Sequence, residues 1–282
     1  MRTSDWQHLC AGDVSVAATS VTIGVFDGLH SGHRALIDRV VGRPDCTSLV
    51  LTFAVHPAIQ LDPAGFGGYL QTRAQTIASL DAIGVDACVL IDFTERFRAM
   101  SGEEFLETLA RAVDLRRLVI GYDFRCGHGP DMNAADIERF FAGSPTTVEV
   151  VTPVVIDGQP VSSSRLRRLL TDGSVDVVNR LLTTPYTIDL TVEQIDRDAQ
   201  GAVARTANGR TTVAGQLLPA PGHYSAQLVG DSIAAADLTI DENSLRWPLV
   251  AIGTIRYIVV HERRTQGESN ARNEGAQIGT RC

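Results

Sequence analysis

This chain of 282 residues is expected to lack a membrane span, a secretory leader and a disulfide framework. No apolar run reaches the roughly 20 residues that a membrane-crossing helix needs. The N-terminus carries Asp5, Trp6 and His8 where a secretory signal has a basic stretch followed by an apolar segment. The five cysteines, Cys10, Cys46, Cys88, Cys126 and Cys282, are scattered, odd in number and without C-x-x-C spacing. That pattern suits reduced thiols in a cytoplasmic protein, with neither a zinc ligand set nor paired half-cystines. An excess of basic charge is also missing. A net charge of −8 and a pI of about 5.3 argue against general binding to nucleic acid or to a membrane surface, although a local basic phosphate pocket remains compatible. No internal repeat is found. What the chain does have is 44% hydrophobic residues and a mean hydropathy of +0.04, the composition of a globular protein with a sizeable core. Its length suits one large or two ordinary domains.

From about residue 20 to 183, short apolar runs alternate with amphipathic stretches. Val21–Phe26, Leu49–Phe53, Ala87–Ile91, Leu118–Gly121 and Val148–Val155 read as strands buried on both faces. Between them, Arg34–Val41, Ala74–Ile83 and Ser101–Val113 read as helices, the last opening with the capping pair Ser101 and Glu104. Asn133 is placed to cap a further helix containing Ile137, Phe140 and Phe141, and Ser163–Thr171 and Ser174–Leu182 close the region. Alternating β and α elements imply an α/β fold, a doubly wound parallel sheet that binds ligands at the carboxyl ends of its strands. After Pro185 the helical period disappears. Tyr186–Ile195 and Gly222–Val229 alternate, and Ile252–Val260 is long and β-branched, which predicts a small antiparallel, barrel-like β domain. The expected organisation is therefore 1–184, 185–261 and a polar tail over 262–282, rich in Gly, Asn and Arg, that reads as disordered.

The first strand runs into Gly24-Val25-Phe26-Asp27-Gly28-Leu29-His30-Ser31-Gly32-His33. A helix pattern follows, so two imidazoles at i and i+3 share one face of a helix start. Free N–H groups and the positive helix end favour phosphate there, and imidazoles so placed can hold a polyphosphate as charge builds in a transition state. A Gly-rich turn with two incidental histidines is the plainer alternative. Three other segments fall on the same sheet edge: Thr52-Phe53-Ala54-Val55-His56-Pro57, Gly121-Tyr122-Asp123-Phe124-Arg125 and Val161-Ser162-Ser163-Ser164-Arg165-Leu166-Arg167. Serines at a helix start with Arg167 close behind form a second phosphate cradle. Each residue also has an ordinary explanation. Ser162 to Ser164 suit plain N-caps, Phe53 and Phe124 suit core positions, Asp123 suits a turn, His56 a loop and Arg167 a solvated charge. Their joint position at one sheet edge favours a nucleoside triphosphate site.

In order along the N-terminal domain, Gly24–His33, Thr52–Pro57, Gly121–Gly127 and Ser162–Arg167 resemble the motifs of the bacterial bifunctional riboflavin kinase/FAD synthetase family. The histidine motif alone is shared with cytidylyltransferases and pantetheine-phosphate adenylyltransferase; the F-D-G, T-F-x-x-H-P and D-F-R versions are more specific. The resemblance implies a Rossmann-like nucleotidyltransferase domain that transfers AMP from ATP to FMN, giving FAD and pyrophosphate, with Mg²⁺ bridging the phosphates. It implies that His30, His33 and Arg167 are catalytic and that Gly24, Phe26, Asp27, Gly28, Ser163 and Ser164 join them in binding ATP. Phe53, His56, Pro57, Asp123 and Phe124 would face the flavin. No protein metal ligand is assigned. The expected partners are these small molecules, with no nucleic acid and no membrane.

The chain also departs from the family pattern. Ala54-Val55 stands where Glu and Pro are usual, Cys126 replaces an aromatic, and Pro130 and Met132-Asn133 occupy basic and Gly-Asp positions. These changes fall on the flavin side, so a modified flavin or another small phosphate ester is an alternative acceptor, and a non-catalytic binding relative is a further one. In the second domain Thr206 and Asn208 of the kinase motif G-F-P-T-A-N survive, but its Gly and Pro do not. Neither Glu242 nor Glu262 has the surroundings of the kinase glutamate, so loss of riboflavin kinase activity is expected.

Overall fold

The protein is described by a computed structural model over residues 1–12, 18–129, 131–250 and 253–264. It forms two compact units, Met1–Gly67 with Arg73–Ser163, and Gly68–Thr72 with the chain from Ser164 onward. The second unit therefore takes up the chain from Ser164, at the start of a helix, whereas the sequence pattern changes after Pro185.

In the first unit the elements run β1 (Arg2–Asp5), α1 (Trp6–Ala11), β2 (Thr19–Ile23), α2 (Ser31–Val41), β3 (Thr47–Phe53), α3 (Ala58–Leu61), α4 (Arg73–Ile83), β4 (Ala87–Ile91), α5 (Glu95–Ala99), α6 (Gly102–Ala112) and β5 (Leu115–Gly121). A short ribbon, β6 (Arg125–Cys126) and β7 (Met132–Asn133), then α7 (Ala134–Phe140), β8 (Thr147–Val151) and the hairpin β9 (Val155–Ile156) and β10 (Gln159–Pro160) follow. Six strands form one sheet in the order β1-β4-β3-β2-β5-β8, with every neighbour parallel. Both faces are covered, as the continuous apolar runs require. Leu49, Leu51, Val89, Leu118 and Ile120 cluster with Leu9, Phe105, Leu106 and Leu109. The alternate residues Val50 and Cys88 cluster with Ile37 and Leu80 on the opposite face, the period of two that a strand imposes. The strand expected over Val148–Val155 stops at Val151. Beyond it Asp157 and Gly158 take φ of 54° and 71° and turn the β9–β10 hairpin, the backbone that Asp-Gly favours.

The second unit contains α8 (Ser163–Thr171, from Ser164 onward), α9 (Val175–Leu181) and seven strands: β11 (Thr187–Asp189), β12 (Ile195–Asp198), β13 (Gly201–Arg205), β14 (Gly222–Val229), β15 (Ile233–Ile240), β16 (Ser244–Trp247) and β17 (Tyr257–Arg263). They form an antiparallel sheet in the order β11-β17-β14-β15-β16-β13-β12, an open half-barrel. Tyr186, Ile188, Tyr224, Leu228, Leu245, Trp247 and Ile258 are among the buried large side chains that this unit contributes. The alternating run Tyr186–Ile195 is not one strand. Asp189 ends β11 because its carboxylate accepts the Thr191 N–H at 2.9 Å and the Thr191 hydroxyl at 2.6 Å, which starts a turn. The strand expected over Ile252–Val260 begins at Tyr257, and Ile252 lies outside the described residues. Of the expected disordered tail, Glu262 and Arg263 belong to β17; from Thr265 the chain lies outside the described residues.

Candidate active site

β2 ends beside the point where the strand order reverses, between β2 and β5. An open doubly wound sheet presents its ligand crevice there. Gly24 N–H donates to Leu51 O at 3.1 Å, carrying the β2–β3 ladder one residue further. The chain then turns through left-handed backbone at Phe26 (φ 51°), Gly28 (φ 90°) and Leu29 (φ 34°). For a residue with a side chain such a φ costs about 1–2 kcal/mol. Burial offsets that cost: Phe26 and Leu29 are sealed in the apolar cluster with Ile37 and Leu80. Gly24 suits the same packing, since a Cβ there would stand 3.1 Å from the Phe26 ring, tighter than ordinary contact. Asp27 is buried, and its carbonyl accepts the Ser163 hydroxyl at 2.8 Å.

His30 is the N-cap of α2. Its Nδ1 accepts the His33 N–H at 3.2 Å, the bond usually supplied by Ser, Thr, Asp or Asn. The helix therefore starts at Ser31, three residues before the apolar pattern announces it. The two imidazoles stack with centroids 3.7 Å apart and planes 15° from parallel. Phe26 packs edge-on to His33 at 5.2 Å. His30 is buried, which pushes its pKa down to about 4. His33 is shifted well below its ordinary value, first by burial of the ring and then by the neighbouring His30. His33 is half-buried as a residue, yet its Nδ1 is enclosed and has no hydrogen-bond partner among the described residues. Both rings are thus neutral near pH 7. Because Nδ1 of His30 is an acceptor, the hydrogen bond assigns its proton to Nε2, which makes that nitrogen a donor. Neutral donors at the positive end of α2 suit an anion that brings its own charge.

The end of β3 supplies Thr52, whose buried hydroxyl donates to Val25 O at 2.9 Å. Phe53 is half-buried and stands edge-on to Phe93 and Phe97 at 5.6 and 6.3 Å. His56 Nδ1 accepts the Ala58 N–H at 3.1 Å, and its ring lies 4.7 Å from Phe66. Pro57 precedes the first turn of α3. After β5, Phe124 N–H donates to Gly121 O at 3.0 Å in a tight turn that leaves Asp123 exposed. Phe124 packs against the α1/α6 side of the core. The Cys126 thiol is pushed up to about 12 by burial and then by Asp131, so it is a thiol, not a thiolate. Asp131 in turn accepts the Gly102 N–H at 3.1 Å at the start of α6. Pro130 lies outside the described residues.

The remaining predicted residues belong to the second unit. Ser164 is exposed. Arg167 is half-buried, and its Nε donates to Gly68 O at 2.9 Å. Thr206 and Asn208 close their own turn. Thr206 Oγ1 accepts the Gly209 N–H at 3.2 Å, and Asn208 Oδ1 accepts the Arg210 and Thr211 N–H groups at 3.1 and 3.0 Å. Among the described residues no group of three or more His, Cys, Asp or Glu side chains could hold a metal ion, and no helix is long and apolar enough to cross a membrane.

Two residues within the quoted motifs, Gly32 and Thr52, carry no role in the sequence reading. A Cβ on Gly32 would lie 3.1 Å from Cε1 and Nδ1 of His30, so glycine is what lets the ring lie against the helix. Thr52 ties the second loop to the first. Its signal was the only hydroxyl at the end of an otherwise apolar β3 run, Leu49 to Phe53.

A parallel doubly wound domain with paired imidazoles capping a helix at its switch point is of the nucleotidyltransferase class. Residues 14–165 match the profile of the FAD synthetase family, and the chain belongs to that family. It is 28% identical over 214 residues to a bifunctional riboflavin kinase/FMN adenylyltransferase from Listeria monocytogenes, a match covering 73% of this chain and 67% of that protein. With the protein of the same description from Pseudomonas fluorescens it shares 31% identity over 179 residues, covering 59% of this chain and 55% of that one. The chain thus matches between about half and two thirds of the length of these relatives. A crystal structure described as a macrolide-efflux protein from Streptococcus pneumoniae has the same fold, with a TM-score of 0.76 at 22% identity, covering 92% of this chain and 91% of that one.

Proposed function

We propose that this chain is an FMN adenylyltransferase, transferring AMP from ATP to FMN to give FAD and pyrophosphate. The observation that carries this reading is the stacked His30–His33 pair at the N-terminus of α2. A phosphate oxygen of FMN attacks the α-phosphorus of ATP, and pyrophosphate leaves with the bonding electrons. The attacking group is already anionic, so no general base is needed, and catalysis is positioning plus stabilisation of charge. The Nε2–H of His30, together with His33 and the first N–H groups of α2, meets the negative charge that grows on the triphosphate. By the family resemblance, Ser163, Ser164 and Arg167 would be the further phosphate ligands. Mg²⁺ would be held chiefly by the substrate phosphates. Phe53, His56, Pro57, Asp123 and Phe124 are assigned by the resemblance to the flavin side. The described cysteines, all unpaired, fit a reducing, cytoplasmic setting.

We further infer that riboflavin phosphorylation has been lost, because the Asn208 carboxamide oxygen is engaged within its own turn and the Thr206 hydroxyl between the Gly209 N–H and the Glu242 carbonyl. The test of both readings is incubation with ATP and MgCl₂ plus either FMN or riboflavin, with flavin products separated by chromatography. FAD formed from FMN, with no FMN formed from riboflavin, is the expected result. Absence of FAD refutes the transferase reading, and FMN made from riboflavin refutes the loss of the kinase.

A further inference from the structure

Two hydroxyls from distant parts of the first unit reach the main chain on either side of Phe26. Thr52 Oγ1 donates to the carbonyl of Val25 at 2.9 Å, and Ser163 Oγ donates to the carbonyl of Asp27 at 2.8 Å. Both hydroxyls are partly or wholly buried where they make these bonds. The residue between the two carbonyls holds a left-handed φ of 51° that side-chain-bearing residues rarely adopt, with its ring fully buried. Backbone preference does not favour that conformation, so contacts from outside the loop must select it. The consequence reaches the candidate catalytic groups directly. The Phe26 ring is the wall against which His33 rests at 5.2 Å, and His33 stacks on His30 at 3.7 Å. A hydroxyl has one proton. That of Ser163 goes to Asp27, so it is not available to a phosphate oxygen.

We propose that Thr52 and Ser163 are positioning residues, a two-point hydroxyl clamp that fixes Phe26 and, through it, the His33–His30 stack. This gives Ser163 a different part from that of a phosphate ligand, and it rests on the adenylyltransferase reading only for its effect on turnover. The bond from Thr52 is removed without loss of volume in Thr52→Val, and that from Ser163 in Ser163→Ala. Each is expected to lower kcat for FAD formation about tenfold, the effect of roughly 1.4 kcal/mol on the barrier, while KM for ATP changes less than about threefold. Thr52→Ser and Ser163→Thr, which keep the hydroxyl, restore kcat.

The second readout needs no activity. His30 and His33 imidazole C–H resonances, assigned by comparison with His30→Asn and His33→Asn, should move in Thr52→Val and Ser163→Ala and return in the hydroxyl-retaining variants. Unmoved resonances in folded Thr52→Val and Ser163→Ala overturn the clamp, as does a Ser163→Ala enzyme with raised KM for ATP and unchanged kcat. If the wild-type protein makes no FAD, the adenylyltransferase reading fails while the resonances still decide the clamp.

Discussion

A Cβ on Gly32 would stand 3.1 Å from two atoms of the His30 ring, although Gly32 itself lies in the first turn of an ordinary helix. Its backbone needs no glycine, and alanine stabilises a helix by up to about 1 kcal/mol relative to glycine. Gly32→Ala is therefore expected to leave the melting temperature unchanged or slightly raised while displacing the His30 ring by a few tenths of an ångström. Turnover in the FAD assay should fall about tenfold or more, and a fully active Gly32→Ala protein would exclude this account of the glycine. His30 separates the same two properties in another way. Its Nδ1 caps α2, and asparagine is among the best caps. In His30→Asn the cap acceptor survives but the outward Nε2–H is lost. Stability within about 1 kcal/mol of wild type is expected, with turnover lower by roughly 10²-fold, as for the loss of one preorganised donor. Denaturant titration and steady-state kinetics on the same preparation check both halves.

At the level of elements, α7 shows how a departure from the family motif has a local structural use. Asn133 Oδ1 accepts the N–H groups of Ala135 and Asp136 at 2.9 and 3.2 Å, and the Asp136 carboxylate accepts the Asn133 N–H at 2.9 Å. Asn133→Ala should then cost about 1 kcal/mol of unfolding free energy and Asn133→Asp much less, measured by urea denaturation; equal losses in the two would contradict the cap. Caps and apolar runs of this kind were legible in the sequence. Ser101 accepts the Glu104 N–H at 3.1 Å as its spacing predicts, and the five expected parallel strands are all present, four of them starting or stopping within a few residues of the expected bounds. Other elements were hidden for physical reasons. β15, Ile-Ala-Ala-Ala-Asp-Leu-Thr-Ile, contains an alanine run with helix-forming preference, and its pairing with β14 and β16 makes it a strand. β12 is an edge strand of charged residues, so no apolar alternation marks it. The apolar period of α2 begins only at Arg34, but the spacing of His30 and His33 already marked the helix start, and that unusual cap is the candidate catalytic residue. The paired histidines were legible, but the hydroxyl bonds to Val25 and Asp27 were not, since they join residues 27 and 136 positions apart.

For the molecule as a whole, the site couples proton binding to folding. His30 has a folded pKa of about 4 against 6.5 for an unperturbed imidazole, and His33 is displaced in the same direction by burial and by His30. Above pH 6.5 both states are neutral and the pair adds no pH dependence. Between pH 6.5 and about 4 the unfolded chain binds protons that the folded chain excludes, so stability falls as pH falls. The slope reaches about 1.4 kcal/mol per pH unit for each histidine. Asp86 acts in a lower window. Its carboxyl is held below the ordinary 3.8 by hydrogen bonds from the Ser48 N–H and hydroxyl, so the stability it contributes is present above 3.8 and lost only as pH drops below it. The expected result is a fall in urea midpoint from pH 6.5 to 4.5 in the wild-type protein and a flatter profile in the His30→Asn/His33→Asn double variant. Matching profiles would mean that the rings titrate normally in the folded chain. Adding ATP tests the same linkage from the ligand side. A triphosphate beside the rings favours their protonated forms, so ATP binding should take up protons and tighten as pH is lowered from 7.5 towards 6. That trend should be absent in the double variant, and it follows only if the neutral pair is where the anion sits.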